Sequence, residues 1–218
     1  MPAVAAFDLD GTLTQGGSVF AFLTAVAGRP AVTAASVALA PRLAHAAIAG
    51  GTVADATKER LFERVLAGVE VDRLEQASRA FAEQHVDEHL RSDVFRRFAW
   101  HRRRGDHLVI VSASPATYVE HIGGLLGADH VIATHLAVED GRLTGRYEGS
   151  NCRGEEKLRR LRLWIDQLDE TGPEVWAYGN SRGDLRMLRA ADVGVNVGRL
   201  GRLGRLRRFP GLGTTDGA

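Results

Sequence analysis

Four short apolar runs, each stopped by a polar residue or a glycine, constrain this chain more than any other feature. They cover residues 3–9 (AVAAFDL), 107–112 (HLVIVS), 174–178 (EVWAY) and 193–197 (VGVNV). Continuous runs of this length read as strands covered on both faces. Helical spacing fills the stretches between them: Val94, Phe95, Phe98 and Ala99; Tyr118, Ile122, Leu125 and Leu126; Leu158, Leu161, Ile165 and Leu168; and the segment Asp184–Ala190. Strands alternating with helices specify an α/β fold, a Rossmann-like parallel sheet with helices on both faces. One pair of runs departs from this. VIATHLAV and RLTGRYEG flank Glu139-Asp140-Gly141 and read as a hairpin.

Between the first two strands the chain shows only helical spacing. Leu61, Phe62, Val65 and Leu66 share one face, and Leu74, Ala77 and Phe81 continue the pattern. The block is too long for a simple crossover, so an inserted all-helical cap is expected over 17–90, on a discontinuous core of 1–16 and 91–218. The stretch from Ser18 to Ala40 is Ala-rich, with Arg29 as its only charge, which raises the membrane question. Gly28-Arg29-Pro30 splits it into two shorter helices, better suited to packing on protein, with peripheral lipid contact as the lesser reading. The tail repeats GRL three times and holds five arginines between 198 and 208, so 198–218 reads as a loosely ordered basic tail.

A net charge of +1 gives no footprint for a nucleic-acid partner. The single cysteine, Cys152, excludes an internal disulfide framework and suits a reducing compartment. The first residues lack a basic region ahead of their short apolar run, so no signal peptide is expected and a cytoplasmic location is.

Chemistry concentrates at the strand ends. Asp8-Leu9-Asp10-Gly11-Thr12-Leu13-Thr14 closes the first run, and ligands of parallel sheets bind beyond the carboxyl ends of strands. Two carboxylates two residues apart repel unless a cation or a shared proton compensates. Taken alone, the segment also fits a polar turn in which an Asp caps local amides. Ser112 ends the second run, Lys157 opens a later helix, and Gly179-Asn180-Ser181-Arg182-Gly183-Asp184 follows the third run. All four sites fall on one edge of the expected sheet.

With these motifs in this order, the chain resembles the haloacid dehalogenase superfamily over nearly its whole length, in the phosphatase branch whose helical cap follows the first motif. The resemblance implies a Mg²⁺-dependent phosphomonoester hydrolase working through an aspartyl-phosphate. Asp8 would be the nucleophile and Asp10 the general acid and base. Ser112 and the Ala113 amide would hold the phosphoryl oxygens, with Lys157 neutralising charge and Arg153 as its alternative. The metal ligands would be Asp8, the Asp10 carbonyl, Asn180 and Asp184, and Asn180 departs from the Asp usual at its position.

The resemblance leaves the substrate open. A small soluble metabolite phosphate leads, with a membrane-associated lipid-phosphate phosphatase as the alternative. Phosphoserine is disfavoured, because Gly17 stands where such enzymes carry a Glu and no carboxylate lies between Asp10 and Asp55. A non-catalytic phosphate-binding module is the remaining reading. His85 and His89, four apart beside Asp87 and Glu88, read as a solvated face rather than a zinc site. Trp100, Trp164 and Trp176 read as core, and Cys152 as a neutral cysteine.

Overall fold

The computed structural model describes residues 2–168, 172–198 and 209–214. Strand β1 (Val4–Phe7) lies at the centre of a five-stranded sheet with β2 (His107–Pro115), β3 (His130–Thr134), β6 (Val175–Gly179) and β7 (Val193–Asn196), in the order β3-β2-β1-β6-β7. Every pairing in it is parallel. The chain builds outward from β1 through β2 to β3, then crosses to the other side of β1 for β6 and β7. That reversal opens a crevice beyond the carboxyl ends of β1 and β6.

Alternate strand residues feed two separate cores. Ala5, Phe7, Leu108 and Ile110 join one cluster, whereas Val4, Ala6, Val109 and Val111 join another. Helices α6 (Ser92–Arg104) and α7 (Ala116–Leu126) cover the first face with Val94, Phe98, Val119 and Ile122. Helices α8 (Glu155–Ile165) and α9 (Leu185–Ala190) cover the second with Leu161, Leu185 and Leu188. Both faces are dry, which is why the strands read as unbroken apolar runs rather than alternating ones.

Five helices stand between β1 and α6: α1 (Val19–Ala27), α2 (Arg29–Ala38), α3 (Ala40–Ala49), α4 (Gly51–Leu66) and α5 (Val71–His89). Pro30 and Pro41 each sit in the first turn of a helix, where a missing N–H costs nothing. The break at Gly28 falls where expected and divides that stretch into α1 and α2, and a further break at Leu39 starts α3. Phe22, Leu23, Leu61, Phe62 and Leu66 from this block share one buried cluster with the first face of the sheet.

The hairpin reading needs correction. Its first run splits at the exposed His135, giving β3 to the main sheet and only β4 (Leu136–Glu139) to the hairpin with β5 (Arg142–Tyr147). No residue in the run marks where pairing partners change. The hairpin clasps the inserted helices: Gly68 N–H donates to Leu143 O at 2.8 Å, Leu143 N–H to Val69 O at 2.9 Å, and Tyr147 N–H to the Glu59 carboxylate at 2.9 Å. At Gly145 the backbone of β5 lies against α4, with φ at 78°. A Cβ there would stand 2.4 Å from Glu63 Cα and 2.7 Å from Phe62 O.

The arginine repeat at 199–208 lies outside the described residues, as do 215–218. Residues 209–214 depart from the expected loose tail. Pro210 O accepts from Asn196 N–H at 2.9 Å, Leu212 O accepts from Arg97 at 3.2 Å, and Phe209 packs on the second core.

Gly145→Ala is expected to lower the unfolding free energy by about 2–4 kcal/mol, because positive-φ strain adds to a backbone clash that no rotamer relieves. Urea unfolding checks this, and a loss below about 1 kcal/mol would show that the clasp yields freely.

Candidate active site

Phe7, the last residue of β1, stacks on Tyr178 of β6 with ring centroids 4.3 Å apart. The Asp8 amide then donates to Tyr178 O at 3.0 Å, fixing Asp8 just past the sheet edge. Lys157, in the first turn of α8, donates to Asp8 Oδ1 at 2.5 Å and to Asp184 Oδ1 at 2.7 Å. Thr12 Oγ1 donates to the other Asp8 oxygen at 2.8 Å. Asp184 Oδ2 accepts from the Asn180 amide at 3.2 Å, the Ser181 amide at 2.9 Å and Ser181 Oγ at 2.7 Å. All three charged side chains are buried.

Two carboxylates share one ammonium, so the group carries a net negative charge in a dry place. Burial pushes the Asp8 carboxyl up to about 7, with the Asp184 charge adding to the rise and Lys157 opposing it. Burial also works against ionised Asp184, but Lys157 and the Ser181 donors outweigh it and hold its pKa below the ordinary range. Lys157 is raised in turn, since its two carboxylate partners outweigh its own desolvation. A further cation at this place would restore Asp8 to its ionised form.

Asp10 stands at the mouth. Its Oδ1 accepts from the Ser18 amide at 2.7 Å, and its Oδ2 from Ser114 Oγ at 2.5 Å. Ser18 Oγ is 2.6 Å from the buried Tyr118 hydroxyl, so the first inserted helix begins on the same network. The register of β2 against β3 shifts between Val111 and Pro115, which takes Ser112, Ala113 and Ser114 out of the regular ladder. Ser112 is buried, and its Oγ accepts from the Ser114 amide at 3.1 Å, leaving its own O–H to donate. Ala113 faces the cleft directly.

The cleft has a volume of about 500 Å³, and its walls include Asp8, Asp10, Lys157, Asn180 and Asp184. Gly11 lets Asn180 close in, since a Cβ at Gly11 would lie 1.9 Å from Asn180 Nδ2. Asn180 Oδ1 is buried without a hydrogen-bond partner among the described residues. A bare amide oxygen beside two carboxylates is the donor set of a hard divalent cation. The residues therefore fit Mg²⁺. Asp184 differs from Asn180 in having both oxygens engaged already.

Between the two basic candidates the geometry discriminates. Lys157 reaches Asp8, whereas Arg153 lies along the cleft wall and turns towards Asp55 of α4, at 3.4 Å. Lys58 is the main residue that the sequence reading missed. From α4 it donates to Ala113 O at 2.6 Å and Asn151 Oδ1 at 3.0 Å, and Thr134 Oγ1 donates to the same two acceptors. Burial pulls its ammonium down to about 8, against the charges of Asp55 and Asp10. The signal was present, because Lys58 heads the apolar series Leu61, Phe62 and Val65 at helical spacing. Thr12, Ser18 and Ser114, which orient the two aspartates, were missed as well.

Other readings change or hold. His85 is buried, stacked between Phe81 and His89 rather than solvated, and burial lowers its pKa. Among the described residues no cluster of three or more His, Cys, Asp or Glu is placed to hold a metal ion. The three tryptophans are half-buried rather than fully buried, with Trp176 packed against the first core and Trp164 against the second. Cys152 is buried, and burial pushes its thiol up to about 11, leaving it unreactive at neutral pH.

Residues 5–189 match the family model of haloacid dehalogenase-like hydrolases. The chain is 38% identical over 199 residues to the protein CicA of Caulobacter vibrioides, covering 88% of this chain and 84% of that one. It is 27% identical over 136 residues to a histidinol-phosphatase of Neisseria meningitidis serogroup C, covering 61% of each chain. A crystal structure of a protein of unknown function from Bordetella pertussis Tohama I superposes with a TM-score of 0.80 at 24% identity, over 96% of this chain and 98% of that one. Further relatives are named as phosphatases. The chain belongs to the haloacid dehalogenase-like hydrolases, and among them it is a phosphatase.

Proposed function

We propose that this protein is a Mg²⁺-dependent phosphomonoester hydrolase that acts on a small polar metabolite phosphate through a phospho-aspartate on Asp8. The observation that carries the proposal is the buried Asp8–Lys157–Asp184 group, with Asn180, whose side-chain oxygen has no partner among the described residues, in the wall of the same cleft. In the first step an Asp8 carboxylate oxygen bonds to phosphorus while the ester P–O bond breaks, and Asp10 gives its proton to the leaving oxygen. Water then attacks phosphorus, Asp10 takes up its proton, and the Asp8–phosphorus bond breaks. Ser112 and the Ala113 amide hold the phosphoryl oxygens, and Lys157 balances their charge. Asp8, the Asp10 carbonyl and Asn180 would hold the metal, with Asp184 acting through Asn180 and Ser181 or through water. When bound, Mg²⁺ supplies the charge that keeps Asp8 ionised and offsets the phosphoryl oxygens. Helices α1–α5 act as the cap, spanning 17–90.

The cleft favours a small polar substrate over a lipid, because among the described residues Ala113 is the only one of its wall with an aliphatic side chain. Gly17 lies in the wall with open space in front of it, so nothing there meets a substrate ammonium. Lys58 instead offers a cation whose direct partners are neutral oxygens. A substrate with a second anionic or hydroxyl group, such as a sugar or cyclitol phosphate, matches that arrangement.

Asp8→Asn is expected to cut turnover of nitrophenyl phosphate by about a thousandfold or more while the melting temperature stays within a few degrees. Asp10→Asn should hurt an alkyl phosphate more than nitrophenyl phosphate, since only the poor leaving group needs the proton. Equal losses on the two substrates would remove Asp10 from the acid role.

Asn180→Asp should lower the Mg²⁺ concentration for half-maximal activity by roughly tenfold, because it adds a ligand charge. Asp184→Asn should instead lose activity at every Mg²⁺ concentration, since it unties Lys157 and the Ser181 loop together. Should Asn180→Asp leave the titration unmoved, Asn180 is not a ligand.

Lys58 is held well below the ordinary lysine value, so it is charged below about pH 8 and neutral above. For a substrate that uses its charge, kcat/KM should fall as pH rises through about 8, and this limb should vanish in Lys58→Met. Lys58→Met should also lower kcat/KM at pH 7 by about tenfold with little change in melting temperature, because the Thr134 hydroxyl can still donate to one of the two acceptors. An unchanged pH profile would exclude Lys58 from substrate binding.

A further inference from the structure

Helices α2 and α3 bend by 73° at Leu39 and turn a broad face outward. Their inward residues Val32, Ala35, Leu39 and Ala46 are buried, whereas Val37 is 70% exposed and Ile48 is 85% exposed. Most of the remaining exposed positions are alanines. The only ionisable residues from 29 to 49 are Arg29, Arg42 and His45, and none of them has a hydrogen-bond or ion-pair partner among the described residues. No acidic residue occurs between Asp10 and Asp55. Arg42, His45 and Ile48 follow one another at three-residue steps, on one side of α3.

Beside this face, a groove of about 490 Å³ opens between α3 and α4. Arg42, His45 and Arg60 rim it, over Val53 and Ala56. Apolar side chains that project into water beside the unpaired Arg42, with no acidic residue on α2 or α3, match an interface that is oily within and negative at its surface. Each helix holds ten residues and is about 15 Å long, half of what the hydrocarbon core of a bilayer requires. The pair can therefore lie on a membrane, and no helix among the described residues is long and apolar enough to cross one.

We infer that the α2–α3 elbow docks the protein onto an anionic phospholipid surface. Val37 and Ile48 enter the acyl boundary, and Arg42 and His45 face the lipid phosphates. This surface is separate from the catalytic cleft, so the inference holds whichever phosphate ester the cleft takes. The docked enzyme works on soluble substrate next to the membrane.

Sedimentation of the full chain with vesicles of phosphatidylcholine, with and without phosphatidylglycerol, tests this. Wild type should sediment only with the anionic vesicles and be released by salt. Ile48→Asp and Arg42→Glu should each weaken the partition by about tenfold or more while leaving nitrophenyl phosphate turnover and melting temperature unchanged. No binding by wild type overturns the inference, as does binding that survives both substitutions. Self-association that Ile48→Asp abolishes, without vesicle binding, would overturn it in favour of a second copy of the chain.

Discussion

The structure depends on one ammonium group held between two carboxylates. Lys157 lies 2.5 Å from Asp8 and 2.7 Å from Asp184, and all three side chains are buried. Removing one member of such a group strands a charge in low dielectric, at a cost of about 3–5 kcal/mol. The partners come from positions 8, 157 and 184, so the central strand, the start of α8 and the loop after β6 must all be in place together. An interior that spends stability in this way is expected at a site of chemistry. The excess negative charge makes the same place a receptor for a cation and, with it, for a phosphoryl group.

Around that centre, polar contacts tie the inserted helices to the sheet edge. Ser18 at the start of α1 holds one oxygen of Asp10, while Ser114 of β2 holds the other. Lys58 of α4 holds the carbonyl of Ala113, in the irregular part of β2. The hairpin grips α4 from the far side, where Gly145 allows backbone to meet backbone. Through the Ser18 and Lys58 contacts the helical block therefore bears directly on Asp10 and Ala113.

Much of this was legible from residue order. Apolar runs at 3–9, 107–112, 174–178 and 193–197 all became strands of one parallel sheet, since continuous hydrophobicity at that length has few other solutions. Asp8, Asp10, Lys157, Asn180 and Asp184 lie at strand ends or helix starts, and all five line one cleft. Less legible was the 131–138 run, which serves two sheets with no local mark of the change. His85 beside two acids looked wet and is buried, stacked on Phe81, whose own ring packs against Tyr118 of α7.

What the sequence determined by itself is what rests on local chemistry: strand and helix periods, the break at Gly28, and carboxylates placed where strands end. Tertiary structure decided which distant groups share a charge. Nothing in the spacing says that Lys157 rather than Arg153 reaches Asp8, or that Asp184 is saturated while the Asn180 oxygen is bare. Nor does it say that Lys58 crosses from the inserted helices to the loop after Val111. Those outcomes turn on distances of a few ångströms between segments up to about 150 residues apart, and electrostatic energy in a dry site is decided at that scale.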